Sequence, residues 1–317
     1  MIQVDRLTKH YGSYKAVDGI TFSIGRGEIV GLLGPNGAGK TTTMRMLTTY
    51  LSPTSGRASL AGMDVIDSPL EVRRKVGYLP ENVPLYLEMR VREYLTFRAR
   101  LTDVPRSKRR SSINHVIARC RLEDVESRIL GQLSRGFRQR VGLAAAMVHD
   151  PDILILDEPT SGLDPIQIRE VRALIRELGD RHTVLLSTHI LSEVEAVCGR
   201  AIIIAQGHLA VDEPLDRLQS ESLIILQARG PADAIKRALE SLPGVERARS
   251  TTQDDQVSTF EIKTTEGADL REELAGRVCQ NGWALRQLEI RRSTLEDRFI
   301  QAVTQETMKA QSELEAV

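Results

Sequence analysis

The segment that decides the fold is Gly34-Pro35-Asn36-Gly37-Ala38-Gly39-Lys40-Thr41-Thr42. Its pattern, G-x-x-x-x-G-K-[ST], is that of a phosphate-binding P-loop. The apolar run at 28–33 predicts a buried strand before the loop, and 42–51 has the composition and apolar spacing of a helix after it. A strand, a glycine-rich loop and a helix in this order predict a nucleotide-binding protein.

Each residue type in the loop suits a bound phosphate. The glycines allow successive backbone N–H groups to surround a β-phosphate, and the helix N-terminus adds partial positive charge. Lys40 is placed to reach the β- and γ-phosphates, and the Thr41 hydroxyl is placed to ligate Mg²⁺. The sequence therefore predicts that residues 34–42 bind a nucleoside triphosphate together with Mg²⁺.

Bulk properties limit the class of protein. The 317 residues suffice for one large or two ordinary domains, and 41% apolar with 27% charged residues suits a globular chain. Basic and acidic residues balance at 43 each, so no global charge favours nucleic acid. The three cysteines are far apart, which argues against disulfides and a zinc site. We find no signal peptide and no apolar run of ~20 residues, so we expect a cytosolic protein whose membrane role comes through a partner.

Two further apolar runs end in polar residues. The run 153–156 leads into Asp157 and Glu158, about 115 residues after the P-loop lysine, as a Walker B strand would. The run 183–188 leads into His189. Parallel strands deliver such residues to one edge of a sheet, so we predict that both runs contribute to the phosphate site.

Two features allow two interpretations each. Tyr11 precedes the P-loop by about 23 residues, and taken alone it suits core packing better than stacking on a nucleobase. Between Arg90 and Arg121 the chain has ten basic residues against Glu93 and Asp103. A solvated helical face explains this run most simply, and contact with an anionic membrane or an acidic partner is the alternative.

The chain changes character near residue 220. Short patterns at 223–228, 231–241, 245–249, 257–264, 268–280 and 284–290 predict the order strand-helix-strand-strand-helix-strand, followed by a helix from Thr294. This order is that of a ferredoxin-like domain, and it holds no catalytic constellation. We therefore predict an ATPase domain at 1–215, a small accessory domain at 220–310 and a tail at 311–317.

With these pieces placed, residues 1–215 resemble an ABC-type ATPase domain. The diagnostic segment is Leu133-Ser134-Arg135-Gly136-Phe137-Arg138-Gln139-Arg140, which resembles the LSGGQ signature. The P-loop, this segment, Asp157-Glu158, Ser161-Gly162-Leu163-Asp164 and His189 follow the motif order of that family. The resemblance implies an α/β fold with antiparallel β and helical subdomains.

The resemblance also implies roles for single residues. A second subunit would cover the γ-phosphate with Ser134 and Gly136, so the active unit would be a head-to-tail dimer around two ATP molecules, formed by identical chains or close relatives. Asp164 would lie across that interface, and Tyr11 would stack on the base.

In the catalytic centre, the resemblance assigns Asp157 to Mg²⁺ contact and Glu158 to orienting or deprotonating the attacking water. His189 would contact the γ-phosphate and hold Glu158. Lys40 is the third residue that we assign to catalysis.

Three departures from the family pattern stand out: Arg135 and Phe137 replace Gly and Gln, and Glu81 replaces a Gln that usually bridges Mg²⁺ to the membrane partner. A carboxylate can ligate Mg²⁺ as an amide oxygen can, but it adds negative charge. These variants resemble a subset of ABC-2-type export ATPases that includes the gliding-motility type. The segment Ser293–Phe299 also resembles the end of that group.

We therefore expect an ATP-hydrolysing subunit that drives a separately encoded ABC-2-type permease, for export, from the inner face of the cell membrane. One alternative is a soluble ABC ATPase acting on ribosomes or DNA. Such proteins usually carry two ATPase domains, zinc modules or long coiled-coil insertions, and this sequence shows none of them. Another alternative, a part of a gliding or secretion machine, shares every motif.

Overall fold

The computed structural model describes residues 1–220, 222–254, 257–265, 268–292 and 294–315. These residues form two compact units: Met1–Pro214 together with the chain from Phe299, and Leu215–Arg298. The predicted domain limits stay predictions. Within the described ranges, no helix is both long and apolar enough to cross a membrane.

The strands of the first unit make two sheets. In chain order they are β1 (Ile2–Tyr11), β2 (Tyr14–Ile24), β3 (Ile29–Leu33), β4 (Ser55–Leu60), β5 (Met63–Asp64), β6 (Val76–Leu79), β7 (Ile153–Asp157), β8 (Thr183–Thr188), β9 (Arg200–Ala205) and β10 (His208–Pro214). One sheet has the order β2-β1-β4-β5 and is antiparallel. The other has the order β10-β9-β3-β8-β7-β6.

The second of these sheets positions the site. Its strands run parallel except β10, which pairs antiparallel with β9. Every residue of β7 and β8 is buried, as apolar strands covered on both faces must be. The residues that follow β3, β7 and β8 therefore meet at one edge of the sheet. β10 extends the sheet beyond β9 through a tight turn in which Gln206 and Gly207 both adopt positive φ.

Met1–Pro214 also contains seven α-helices and two short 3-10 helices, Glu123–Val125 and Leu130–Gln132. The α-helices are α1 (Lys40–Leu47), α2 (Pro69–Lys75), α3 (Val91–Leu101), α4 (Arg106–Arg119), α5 (Arg135–Met147), α6 (Pro165–Gly179) and α7 (Leu191–Val197). Residues 90–150 are mostly helical, because α3, α4 and α5 all lie there. The basic run there is partly neutralised by acids outside it, as in the Arg92–Glu126 ion pair at 2.6 Å.

The P-loop helix differs from its predicted range of 42–51. It begins at Lys40 because Gly39, with a φ of 109°, reverses the chain directly before it. It ends at Leu47, and Thr49 then adopts a φ of 60°. Met44, Met46 and Leu47 of α1 share one buried core with residues of both sheets, such as Ile24 and Ile155. This core holds the P-loop against the parallel sheet.

The second unit contains a four-stranded sheet with helices. Its elements are α8 (Leu215–Ser220), β11 (Ser222–Arg229), α9 (Ala232–Glu240), β12 (Val245–Asp254), β13 (Val257–Thr264), α10 (Arg271–Gln280) and β14 (Ala284–Arg292). The sheet order is β12-β13-β11-β14, and each neighbouring pair is antiparallel. Leu226 and Phe260 of the sheet form a core with Ile235 of α9 and Val278 of α10. The predicted element order is confirmed.

The last helix, α11 (Leu295–Glu315), begins one residue after the predicted start at Thr294 and continues past residue 311, where we predicted a tail. The boundary between the two units falls within this helix. Ser293, which opens the C-terminal segment quoted above, lies outside the described residues.

Candidate nucleotide site

The P-loop wraps around the end of its own lysine. The Lys40 ammonium donates hydrogen bonds to Gly34 O at 2.7 Å and Pro35 O at 3.2 Å, and only 6% of the residue is exposed. Gly39 is required by shape as well as by φ, because a Cβ atom there would lie 2.5 Å from Ala16 O. The loop thus holds the lysine at the start of α1, where the helix N-terminus favours anions.

A cleft of about 400 Å³ opens directly over this loop. The predicted site residues that line it are Tyr11, Asn36, Gly37, Ala38, Gly39, Lys40, Thr41, Thr42, Glu81, Glu158 and His189. Three residues that were not predicted as site residues also line it: Tyr14, Ala16 and Ser161. Gly34 and Pro35 contribute through their carbonyl bonds to Lys40. The structure therefore brings the predicted P-loop, Walker B and histidine elements to one place.

Two exposed tyrosines line the cleft. Tyr11 is 48% exposed, which disagrees with a core-packing role, and Lys9 Nζ lies 5.6 Å from the centroid of its ring. Tyr14 is also exposed, and its hydroxyl donates to Gly37 O at 3.4 Å. Sequence reasoning missed Tyr14, although its position at the turn between β1 and β2, close to Tyr11, was a usable signal.

Asp157 ends β7 beside the first hydroxyl of α1. The Thr41 hydroxyl donates to Asp157 Oδ1 at 3.3 Å, and the Ser187 hydroxyl donates to the same oxygen at 2.6 Å. Asp157 is 1% exposed. Ser187 pairs with Asp157 in the register of β7 and β8. Sequence reasoning missed Ser187, and a polar residue at the end of an otherwise apolar strand is the signal that could have identified it.

Glu158 has an unusual backbone. Its φ of 48° lies in the left-handed region, which non-glycine residues rarely adopt and which concentrates at functional sites. The Glu158 N–H donates to both Ser187 O at 3.2 Å and Ser187 Oγ at 3.0 Å. Nδ1 of His189 lies 3.0 Å from each Glu158 carboxylate oxygen and donates to them. The chain turn after β7 therefore aims the carboxylate at the histidine that follows β8.

Burial shifts the pKa values of Glu158 and Lys40. Glu158 is 7% exposed, and burial raises the pKa of its carboxyl group, while His189 and then Lys40 oppose this rise. Burial also lowers the pKa of Lys40, against the attraction of Glu158, Asp157 and Glu81. Lys40 Nζ and Glu158 Oε1 are 4.0 Å apart, and burial outweighs their attraction in the pKa of both groups. A raised carboxyl pKa suits a group that accepts a proton near neutral pH.

The signature segment lies outside this cleft. Ser134 is exposed at the N-cap of α5, and its hydroxyl accepts a hydrogen bond from Phe137 N at 3.4 Å. Asp164 is exposed at the N-cap of α6. Gly136 is buried against α6, where a Cβ atom would lie 2.3 Å from Gln167 Oε1. None of the three lines the cleft of its own chain, so their predicted contacts with ATP require a second chain.

Both departures in the signature segment have local partners. The Arg135 guanidinium packs on Gly162 so closely that an added side chain at Gly162 would collide with it. The Arg140 guanidinium lies 4.7 Å from the centroid of the Phe137 ring, within cation–π range. Arg135 thus links the signature segment to the loop between Glu158 and Asp164.

Comparisons with known proteins agree with this geometry. Residues 17–161 match the ABC transporter family. An uncharacterized ABC transporter ATP-binding protein, YxlF of Bacillus subtilis, is 33% identical over 96% of this chain and 99% of its own. The bacitracin transport ATP-binding protein BcrA of Bacillus licheniformis is 38% identical over 70% of this chain and 72% of its own.

The chain also superposes on a dimeric bacterial ABC transporter cassette, MJ0796, with a TM-score of 0.63 and 26% identity, over 68% of this chain and 99% of the cassette. The full-length similarity to YxlF, the P-loop cleft and the ordered motifs lead to one conclusion. The chain belongs to the ATP-binding subunits of ABC transporters, the enzymes that hydrolyse ATP for transport.

Proposed function

We propose that this subunit dimerises around two ATP molecules and drives a separately encoded ABC-2-type permease that exports its substrate. The observation that carries the proposal is the Glu158–His189 pair, hydrogen-bonded at 3.0 Å beside Lys40 at the edge of the parallel sheet. This is the arrangement needed to orient a water molecule against a γ-phosphate held by the P-loop.

Each group in the cleft has a separate role in ATP binding and hydrolysis. Lys40 and the backbone N–H groups of the P-loop bind the β- and γ-phosphates. Glu158 orients the attacking water and accepts its proton as the oxygen adds to phosphorus and the bond to ADP breaks. His189 holds the Glu158 carboxylate and contacts the γ-phosphate. Tyr11 stacks on the base, and the exposed Tyr14 beside it extends the same wall of the cleft.

Three oxygen donors at the cleft fit Mg²⁺. Thr41 and Glu81 line the cleft, and Asp157, buried directly behind it, has its Oδ1 3.3 Å from the Thr41 hydroxyl. Mg²⁺ prefers such oxygen donors and is usually bound through one or two carboxylates together with substrate phosphates. Thr41, Asp157 and Glu81 would hold the ion. When bound, it would neutralise charge on the phosphate oxygens.

Glu81→Gln tests this assignment. We expect the Mg²⁺ concentration that gives half-maximal ATPase activity to shift, because the change removes one negative charge near the metal. Binding of fluorescent ATP should change in the presence of Mg²⁺ and stay nearly constant without it. Glu88→Gln, at another exposed carboxylate of the same loop, should alter neither quantity.

Separate outcomes identify the role of Glu81. A change confined to permease-stimulated ATPase would assign Glu81 to the loop alone. If neither the Mg²⁺ dependence nor the stimulation changes, Glu81 does not belong to the site.

Ser134 and Asp164 support the proposed dimer. Ser134 and Asp164 are exposed in one chain and lie outside its cleft, so a head-to-tail partner would bring them to the opposite ATP. A second copy of this chain supplies every motif that such a pair needs. We therefore propose a homodimer.

A second groove supports the proposal that the protein docks on a permease. It has a volume of about 830 Å³ and begins at Tyr78–Pro80 and Asn82–Pro84, on either side of Glu81. Tyr50, Leu70 and Leu101 line it and are 76%, 66% and 62% exposed. Large exposed apolar side chains around a concave surface are typical of an interaction site. A permease segment seated here would contact the loop that carries Glu81, and so reach the ATP site.

Leu70→Glu tests the groove. A charge placed on its apolar wall should release the protein from the membrane fraction of cells that express the permease. Fluorescent ATP binding by the purified variant checks its folding. Ile66→Glu is the matched control, because Ile66 is 53% exposed but does not line the groove. Retention of Leu70→Glu on the membrane would contradict this docking surface.

Export is favoured over the alternatives by the relatives. BcrA is named for bacitracin transport, whereas action on ribosomes or DNA has no supporting observation in the described residues. The chain would then lie in the cytoplasm, held at the inner face of the membrane by the permease. The gliding or secretion assignment stays a prediction.

We also propose that the C-terminal domain is ferredoxin-like. Its elements follow the order strand-helix-strand-strand-helix-strand, and its strands form a sheet in the order β12-β13-β11-β14.

A further inference from the structure

A buried carboxylate lies behind the catalytic pair. Glu193, on α7, is 1% exposed and accepts two hydrogen bonds from hydroxyl groups. Thr160 Oγ1 donates to Glu193 Oε1 at 2.5 Å, and Thr188 Oγ1 donates to Glu193 Oε2 at 2.7 Å. Thr160 and Thr188 are themselves buried. One carboxylate therefore ties the loop after β7 to the end of β8.

Both threonines are close in the chain to catalytic side chains. Thr160 follows Glu158 by two residues, and Thr188 directly precedes His189. The Thr188 hydroxyl also accepts a hydrogen bond from Ile190 N at 3.1 Å, so it holds the backbone on both sides of His189. A change at Glu193 would therefore displace both the loop that carries Glu158 and the strand end that carries His189.

The charge of Glu193 is compensated locally. Arg172 Nη2 on α6 lies 3.6 Å from Glu193 Oε1. A buried carboxylate is costly unless it is paired and hydrogen-bonded, and here two hydroxyl donors and a guanidinium meet that need. The same packing could be achieved by an apolar side chain, but an apolar side chain could not join the two loops.

We propose that Glu193 is a positioning residue for ATP hydrolysis: through Thr160 and Thr188 it sets the distance between the Glu158 carboxylate and the His189 imidazole. The proposal rests on the roles proposed above for Glu158 and His189. Glu193 touches neither substrate nor metal, so it acts on the rate of the chemical step and not on ATP binding.

The test compares Glu193→Gln with Glu195→Gln in the full-length protein. Glu195 is on the same helix and is exposed, so it is a matched control. The amide of Glu193→Gln has one acceptor oxygen, so one of the two threonine hydroxyls loses its carboxylate partner. We expect kcat to fall at least about 10-fold, since a ~1 Å displacement in an active site can cost ~10²-fold. KM for ATP and the Kd of fluorescent ATP should stay within about twofold.

Isosteric threonine variants keep the test decisive if Glu193→Gln folds poorly. Thr188→Val and Thr160→Val remove the hydroxyls without removing volume, and each should lower kcat with KM unchanged. Because both hydroxyls act through one carboxylate, Thr188→Val combined with Glu193→Gln should lose less than the product of the two single losses.

Three outcomes would overturn the proposal: unchanged kcat in Glu193→Gln, unchanged kcat in the Thr160→Val/Thr188→Val double variant, or an increase in KM that matches the loss of kcat. His189→Ala and Glu158→Gln are measured in parallel. If these two retain activity, the proposed catalytic roles are wrong. If they lose activity while the Glu193 and threonine variants do not, only the positioning role is wrong.

Discussion

Lys40→Ala should lose ATP hydrolysis by at least about 10²–10³-fold in kcat/KM, the cost typical of removing one preorganised charge-stabilising donor. The Lys40 ammonium is held at the phosphate loop by Gly34 O and Pro35 O, and alanine leaves no cation there. The fold should survive, because burial lowers the pKa of Lys40 and so disfavours its charged form in the folded protein. Steady-state ATPase assays and thermal unfolding measure the two effects separately.

Lys75→Ala is the control for this variant. Lys75 forms an exposed ion pair with Asp152 at 2.8 Å, and such pairs contribute about 0–1 kcal/mol to stability. Its ATPase activity should equal that of the wild type. Full activity in Lys40→Ala would contradict the P-loop assignment, and so would a loss of activity explained entirely by unfolding.

Glu158→Gln should lower kcat by about 10²–10⁴-fold, the usual contribution of a general base, while ATP binding persists. The amide keeps the shape of the side chain and an oxygen that can accept from His189 Nδ1, but it cannot take the proton of the attacking water. Hydrolysis, which would separate the two subunits, is then blocked. With ATP and Mg²⁺ the variant should accumulate as a dimer of twice 35.3 kDa by size-exclusion chromatography with light scattering.

The double variant Lys40→Ala/Glu158→Gln shows whether this dimer depends on nucleotide. It should remain monomeric with ATP, because it lacks the phosphate contact. A Glu158→Gln protein that turns over normally and stays monomeric would refute both the role of Glu158 and the ATP-bridged dimer. A dimer that forms equally without ATP would refute the bridging alone.

The local parts of the site were readable from the sequence. The P-loop, the carboxylates after 153–156 and the histidine after 183–188 each sit at a strand end, where a short pattern is enough to place them. The basic composition of 90–121 was equally visible, but its ion pairs use acids elsewhere in the chain, such as Glu126 and Glu170. Patterns identify the residues of a strand or helix, and they carry no information about partners far along the chain.

Features that depend on distant contacts required the structure. Ser187 bonds Asp157 across 30 residues, Thr160 bonds Glu193 across 33, and Tyr14 bonds Gly37 across 23. The limits of α1 also differ from the predicted ones. The backbone conformations of Gly39 and Thr49, and not the apolar spacing, determine where the helix starts and ends.

The sequence by itself determined a nucleotide-binding P-loop and a Walker B strand, because residue types at short fixed spacings are enough to form them. The resemblance of its ordered motifs then indicated an ABC-type ATPase domain. Only the tertiary structure decided which side chains and loops contact Glu158 and His189. It also decided that Ser134 and Asp164 lie outside their own cleft, and that Arg135 packs on Gly162. Those contacts arise when strands far apart in the chain pair in one register and bring their loops to a common edge, which no local pattern encodes.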